Sequence, residues 1–101
     1  AHSPHYSATK GAVVAFTRAV AYEVAGANVL VNCICPGGVE TPAFRQYLGT
    51  LSADELAGMW QIAPLGRLGK PEEYAALTVH LASEECYMAG SIVNVSGGSV
   101  I

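Results

Sequence analysis

Two short apolar runs, each ended by a pair of glycines, constrain the fold of this chain more than any other feature. Residues 28–35 are nearly all apolar and rich in β-branched side chains, and Pro36-Gly37-Gly38 ends the run. Residues 91–96 (Ser-Ile-Val-Asn-Val-Ser) are predicted to form a second strand, which Gly97-Gly98 ends. Short runs of this composition are typical of parallel strands buried on both faces. The sequence therefore predicts two strands of a parallel sheet.

Helices are predicted before each strand. Residues 4 to about 25 read as one long helix, with Ser3 as a candidate cap and Pro4 at the first helical position. Residues 71–83 read as a second helix. The order of helix, strand, helical excursion, helix and strand predicts an α/β fold with crossover helices.

Two parallel strands cannot form a stable sheet by themselves, because both faces and both edges need partners. We therefore expect the remaining strands to lie upstream of Ala1 or to belong to another chain. The sequence is then a piece of something longer, and residues 1–101 are part of a single domain.

The stretch 39–66 is predicted to be irregular, with short helices that begin near Thr41-Pro42 and at the capping box formed by Ser52 and Glu55. It carries unusually large apolar side chains for a connection. Such a segment is often a lid or a substrate pocket, and the alternative is a small satellite core. These side chains are Phe44, Tyr47, Leu48, Met59, Trp60 and Ile62.

The first predicted helix carries two stripes at helical spacing. The larger apolar residues form one stripe and alanines form the other, and small residues allow a second helix to approach closely. A buried helix and a helix–helix contact between subunits both remain open. The stripes are Val13, Phe16, Val20 and Val24, and Ala8, Ala12, Ala15 and Ala19.

Composition excludes several classes of protein. An apolar content of 51% with a net charge of only −3 excludes intrinsic disorder. Five scattered basic residues argue against a nucleic-acid partner, and no apolar run is long enough to span a membrane. The three cysteines form neither a disulfide framework nor a metal-binding spacing, so we expect no metal and a reducing, cytoplasmic location.

Tyr6 and Lys10 carry the clearest chemistry in the sequence. They are four residues apart on the first predicted helix, so their side chains share one face. An ammonium beside a phenol stabilises the phenolate and lowers its pKa, as an acid/base catalyst working near neutrality requires. The alternative is a packed tyrosine beside a solvated lysine.

Three further segments follow this pair in order. They are Asn-Cys-Ile-Cys-Pro-Gly-Gly at 32–38, Pro-Leu-Gly-Arg-Leu-Gly-Lys-Pro-Glu-Glu at 64–73 and Asn-Val-Ser-Gly-Gly at 94–98. With these four segments, essentially all 101 residues resemble the C-terminal part of a short-chain dehydrogenase/reductase. The resemblance implies the C-terminal portion of a Rossmann-type doubly wound parallel sheet and an NAD(P)-dependent interconversion of a ketone and a secondary alcohol.

The resemblance also implies roles for individual residues. Tyr6 would exchange a proton with the substrate oxygen, and Lys10 would assist it and hydrogen-bond the nicotinamide ribose. The nicotinamide of NAD or NADP would lie against Pro36, Gly37, the Val39 amide and Thr41.

By the same resemblance, residues 39–66 are the substrate-binding excursion, with Gly38, Phe44 and Tyr47 as candidate contacts to a small carbonyl or alcohol substrate. Family members usually form homodimers or homotetramers. The chain departs from the family pattern at Ser96, where aspartate commonly precedes the glycine pair. The family's glycine-rich cofactor turn, catalytic serine and helical asparagine do not occur in these 101 residues.

Three hypotheses follow for function. The parent protein is an oxidoreductase, of which this chain alone has little or no activity. Alternatively, the chain is a truncated relative that binds an intact subunit through its alanine-striped helix and last strand. The third possibility is a non-catalytic remnant that does not fold alone.

Overall fold

The computed structural model describes residues 3–99 and contains four α-helices, one 3₁₀ turn and two strands within that range. Helix α1 is Pro4–Val24 and continues into a 3₁₀ turn at Ala25–Ala27. The remaining elements are β1 (Cys33–Pro36), α2 (Pro42–Leu48), α3 (Ala53–Gln61), α4 (Pro71–Leu81) and β2 (Ile92–Val95). This order confirms the predicted alternation of helices and strands.

Strands β1 and β2 are hydrogen-bonded neighbours in a two-stranded sheet. The Cys33 amide donates to the Ser91 carbonyl at 2.9 Å, and the Gly37 amide donates to the Val95 carbonyl at 2.9 Å. From the first bond to the second, both the donor and the acceptor move four residues towards the C-terminus. The two strands are therefore parallel, as predicted.

The first strand is shorter than the sequence predicted. Residues 28–32 are not part of β1, and Val29 and Leu30 are 48% and 40% exposed. A strand exists only where a neighbour completes its hydrogen bonds, and β2 provides just four residues. Apolar composition alone does not set strand length.

The chain divides into two compact units. Among the described residues, unit 1 contains residues 3–34 together with Ser83–Val93, and unit 2 contains Cys35–Ala82 together with residues 94–99. Each unit contains one half of the two-stranded sheet.

Unit 1 packs around small side chains. Thr17 and Ala21 on α1 are buried, and a Cβ placed on Gly90 would lie 3.4 Å from the Ala21 Cβ. The predicted stripe of larger residues is only partly covered, because Val13 is 51% and Phe16 is 69% exposed. The small residues determine the buried face because they allow the backbone at Gly90 to approach closely.

The alanine stripe of α1 is exposed at all four positions. Of the residues described, only Thr17, Ala21 and Cys86 are buried, and no large side chain is fully buried. The apolar side chains of this unit therefore form surface more than core.

The helix starts differ in how they are capped. Ser3 makes no side-chain cap to α1, contrary to the sequence prediction, because its hydroxyl lies 3.2 Å from Nε2 of His5. The predicted capping box of α3 is complete: the Glu55 amide donates to Ser52 Oγ at 3.2 Å, and the Ser52 amide donates to Glu55 Oε2 at 2.8 Å. Helix α2 begins at Pro42, as predicted, and Thr41 caps it by accepting from the Phe44 amide.

Candidate functional site

Helix α1 brings Tyr6 and Lys10 together on one face of unit 1. The Lys10 ammonium nitrogen lies 5.5 Å from the centroid of the Tyr6 ring, over its face. The Tyr6 side chain is 58% exposed, so its hydroxyl is open to a small molecule. The two side chains share one helix face, as the spacing predicted, and the structure places the ammonium over the tyrosine ring.

In unit 2, the glycines after β1 are needed for close packing within the chain itself. A Cβ on Gly37 would lie 2.9 Å from the Ser96 Cα, and one on Gly38 would lie 2.8 Å from Cδ2 of Leu68. Neither glycine has a positive φ. Sequence reasoning ascribed these glycines to close approach of a ligand, and the structure adds that Ser96 and Leu68 pack closely against them within the chain.

The segment that follows these glycines is held by a single parallel bridge between Val39 and Gly69. The Gly69 amide donates to the Gly38 carbonyl at 2.9 Å, and the Glu40 amide donates to the Gly69 carbonyl at 2.8 Å. Val39 lies between the two residues that bond to Gly69. In a parallel bridge of this kind, Val39 directs its own amide and carbonyl away from Gly69. No backbone hydrogen bond within residues 3–99 uses the Val39 amide, which leaves a donor for another molecule.

Thr41 contributes its hydroxyl oxygen to the cap of α2, accepting from the Phe44 amide at 3.2 Å. A hydroxyl can accept one bond and donate another, so the Thr41 hydroxyl can still donate its proton.

Two other residues flank this segment. Glu40 forms an ion pair with Arg45 at 2.9 Å, and sequence reasoning missed this pair. Pro36 is exposed at the end of β1.

Unit 2 contains an open cavity of about 440 Å³ beside these glycines. Its walls include four large side chains of the 39–66 excursion, namely Phe44, Met59, Trp60 and Ile62, together with Gly38. Tyr47 is not among the lining residues. It is 54% exposed and contacts Phe44 edge-on, with ring centroids 5.8 Å apart.

Arg67 and Glu73 form an ion pair at the edge of the cavity. Arg67 donates to both carboxylate oxygens of Glu73, at 2.8 and 3.1 Å. These bonds, with a further one from the Lys70 amide, lower the pKa of the Glu73 carboxyl from 4.5 to about 2. Glu73 in turn raises the pKa of Arg67. Since each charge satisfies the other, the pair stabilises the turn before α4, in line with its structural interpretation from the sequence.

Two residues near Val39 were missed by sequence reasoning. Gly69 forms the bridge, and the Tyr74 hydroxyl lies 3.4 Å from the Gly38 carbonyl. The only sequence signal was a glycine shortly before the helix-opening Pro71, a pattern that does not disclose a contact thirty residues away.

Cys33, Cys35 and Cys86 form no disulfide bond. Across the described residues 3–99, no group of three or more His, Cys, Asp and Glu side chains could hold a metal ion. Within the same range, no helix is both long and apolar enough to cross a membrane.

The chain is similar to known proteins over nearly all of its length. A protein family described as enoyl-(acyl carrier protein) reductase matches residues 1–99. L-fucose dehydrogenase of Oryctolagus cuniculus is 43% identical over 97 residues, which cover 93% of this chain and 34% of the relative. The 3-oxoacyl-[acyl-carrier-protein] reductase of Thermotoga maritima is 39% identical over 98 residues, covering 96% and 38%.

A solved structure of L-sorbose reductase from Gluconobacter frateurii, in complex with NADPH and L-sorbose, superposes with a TM-score of 0.84. It is 33% identical to this chain, and the match covers 98% of this chain and 41% of the reductase. The chain thus spans about 34–38% of the two curated relatives and has the Rossmann-type α/β fold of this neighbour. On these matches, the chain belongs to the short-chain dehydrogenase/reductase family.

Proposed function

We propose that the protein is an NAD(P)-dependent oxidoreductase that interconverts a ketone and a secondary alcohol. The observation that carries this proposal is the Tyr6–Lys10 pair, with Nζ of Lys10 5.5 Å from the Tyr6 ring centroid on an exposed helix face. The named activities of the relatives are dehydrogenase and reductase reactions, which supports the same reaction class. Three cysteines without disulfide bonds fit a cytoplasmic location.

A nicotinamide cofactor, NAD or NADP, fits the residues of unit 2. The Val39 amide is a donor that no backbone acceptor within residues 3–99 uses, and the Thr41 hydroxyl keeps a proton to donate. We assign the Val39 amide to the carboxamide and place Pro36, Gly37 and Thr41 beside the nicotinamide. When bound, the cofactor supplies or accepts the hydride.

Tyr6 and Lys10 handle the proton and the ribose. During reduction, the Tyr6 hydroxyl donates its proton to the carbonyl oxygen of the substrate. During oxidation, the phenolate takes the proton of the alcohol. The Lys10 ammonium, 5.5 Å from the centroid of the Tyr6 ring, assists Tyr6 and can donate to the ribose hydroxyls of the cofactor.

For the substrate, we propose contacts from Gly38, Phe44 and Tyr47. Gly38 and Phe44 line the cavity of unit 2, and the Tyr47 ring contacts the Phe44 ring edge-on. Because Met59, Trp60 and Ile62 also line the cavity, a small carbonyl compound with apolar surface suits it best.

The test compares two tyrosine variants in the protein as its source cell makes it. Tyr6→Phe removes the proposed proton donor and keeps the ring, while Tyr22→Phe removes a hydroxyl from a 91% exposed position on the same helix. Turnover with NADH or NADPH and a panel of ketones is measured for both. Loss of general acid catalysis costs a factor of about 10²–10⁴ in rate, so Tyr6→Phe should lose activity and Tyr22→Phe should keep it. Equal rates in the two variants refute the assignment of Tyr6.

A second candidate function is subunit interaction without chemistry, and it is favoured by the exposed face of α1. Phe16 is 69% and Val13 is 51% exposed, and the four alanines beside them are exposed as well. Such a surface suits a second α1 helix, and therefore a homodimer or homotetramer.

This second function predicts that Phe16→Glu lowers the oligomer mass measured by light scattering. The control is Val79→Glu on α4, which is 70% exposed and lies on the other unit. An oligomer mass that Phe16→Glu leaves unchanged excludes α1 as the interface. Oligomerisation without any turnover would favour the interaction role over the enzymatic one.

A further inference from the structure

The turn before α4 is built around the backbone of Gly69. Arg67 Nη1 donates to the Leu68 carbonyl at 3.0 Å and also to Glu73, and the Lys70 amide donates to Glu73 at 3.0 Å. The Glu73 carboxylate therefore holds the turn on both sides of Gly69, through Arg67 before it and through the Lys70 amide after it. Gly69 lies between these anchors and uses both its amide and its carbonyl to hold residues 38–40.

The position of the Tyr74 side chain leaves no room for a Cβ at residue 69, which explains the glycine there. A Cβ at Gly69 would meet the Tyr74 ring, at 2.7 Å from Cε2 and 2.8 Å from Cζ, and would collide with the hydroxyl oxygen. The same hydroxyl lies 3.4 Å from the Gly38 carbonyl. The Gly38 carbonyl thus has two donors, the Gly69 amide and the Tyr74 hydroxyl, which together fix the peptide preceding Val39.

We infer that Gly69 and Tyr74 are positioning residues that aim the Val39 amide at the nicotinamide end of the cofactor. Neither residue touches the cofactor in this account. The Gly69 bridge holds Gly38 and Glu40 on one side of the segment, and the Val39 amide consequently points to the other side. The inference rests on the proposed function, since it assumes that a nicotinamide cofactor accepts a hydrogen bond from Val39.

The experiment compares the binding of two ligands, the reduced cofactor and an ADP-ribose that lacks the nicotinamide. Affinities for NADH or NADPH, whichever the unaltered protein binds, are measured by fluorescence titration. Affinities for ADP-ribose with the matching 2′-substituent, which lacks the nicotinamide, are measured by calorimetry. Gly69→Ala should weaken reduced-cofactor binding about threefold to tenfold, the effect of one misdirected hydrogen bond, and should change ADP-ribose binding by less than about twofold.

Two further variants make the test specific. Gly69→Ala with Tyr74→Leu opens the space that the new methyl group needs, and should recover most of the lost affinity. Gly58→Ala adds the same methyl group on α3, where nothing lies within 4 Å of it, and should leave both affinities unchanged. If Gly69→Ala does not fold, Tyr74→Phe removes only the hydroxyl and should weaken reduced-cofactor binding about twofold, again without affecting ADP-ribose.

The outcomes distinguish the inference from the proposed function. Equal losses for both ligands in Gly69→Ala, or no loss for either, overturn the positioning role while the oxidoreductase assignment stands. In Tyr74→Phe, unchanged affinity for reduced cofactor also overturns it. Failure of the unaltered protein to bind NADH and NADPH overturns the proposed function itself, and the inference with it.

Discussion

The substitution Gly37→Ala tests whether the end of β1 is as tightly packed as the structure indicates. The new Cβ would lie 2.9 Å from the Ser96 Cα, 3.1 Å from the Ser96 Cβ and 3.2 Å from the Ser96 carbonyl oxygen. Carbon atoms in contact are separated by about 3.5 Å or more, so the two backbones must move apart by about 0.6 Å. That movement opposes the 2.9 Å hydrogen bond from the Gly37 amide to the Val95 carbonyl. Overpacking of this kind costs about 1–3 kcal/mol.

The matched control is Gly58→Ala, the same chemical change in open space. Gly58 lies in the middle of α3, and replacing a helical glycine with alanine stabilises by about 0.5–1 kcal/mol. Urea unfolding of the two variants should therefore differ by about 1.5–4 kcal/mol, with Gly37→Ala the less stable. A Gly37→Ala variant within about 0.5 kcal/mol of the unaltered protein would refute the packing argument.

Two further predictions concern the helix starts of unit 2. Ser52→Ala removes the acceptor of the α3 capping box and should lower the free energy of unfolding by about 1 kcal/mol in urea, whereas Ser52→Thr should change it little. An unchanged midpoint in Ser52→Ala would contradict the capping role. The pKa of Glu73 is lower in the folded chain, so the unfolded chain binds more protons between pH 4.5 and about 2, and stability falls as pH falls through that window. Arg67→Gln should therefore be less stable than the unaltered protein at pH 7, and the difference should shrink as the pH falls through that window; a pH-independent difference would exclude the ion pair as its cause.

Sequence reasoning succeeded where the determinant is local. The capping box of Ser52 and Glu55 and the prolines at the first positions of α1, α2 and α4 place helix starts through contacts within one turn. The Tyr6–Lys10 pair is likewise fixed by helical spacing. These features needed no knowledge of the rest of the fold.

Where the determinant is a distant partner, the sequence was insufficient. Residues 28–32 have strand composition, but β2 pairs only with the end of the run, so the predicted strand was too long. Val13 and Phe16 have the spacing of a buried stripe, but Thr17 and Ala21 are the buried residues of α1, and Ala21 lies against Gly90, where a small side chain fits.

The same distinction between local and distant determinants applies to the candidate site. The segment Pro36-Gly37-Gly38 was identified from its place after a strand. The residues that hold this segment in place, Gly69 and Tyr74, were not identified from the sequence. Gly69 contacts Gly38 and Glu40 only because the chain returns after the 39–66 excursion, and Tyr74 reaches Gly38 from the next helix. Residues that hold a site in place through backbone bonds leave little trace in composition or spacing.

The most direct test of the central claim is the transfer of deuterium from reduced cofactor to product. The protein, as its source cell makes it, is incubated with ketones and NADH or NADPH that carries deuterium at both positions of nicotinamide carbon 4, and the product alcohol is analysed by mass spectrometry. The account predicts one deuterium on the carbinol carbon, formed by the unaltered protein and by Tyr22→Phe but lost in Tyr6→Phe. Alcohol formed at equal rates by Tyr6→Phe, or no labelled alcohol from any ketone with either cofactor, would contradict it.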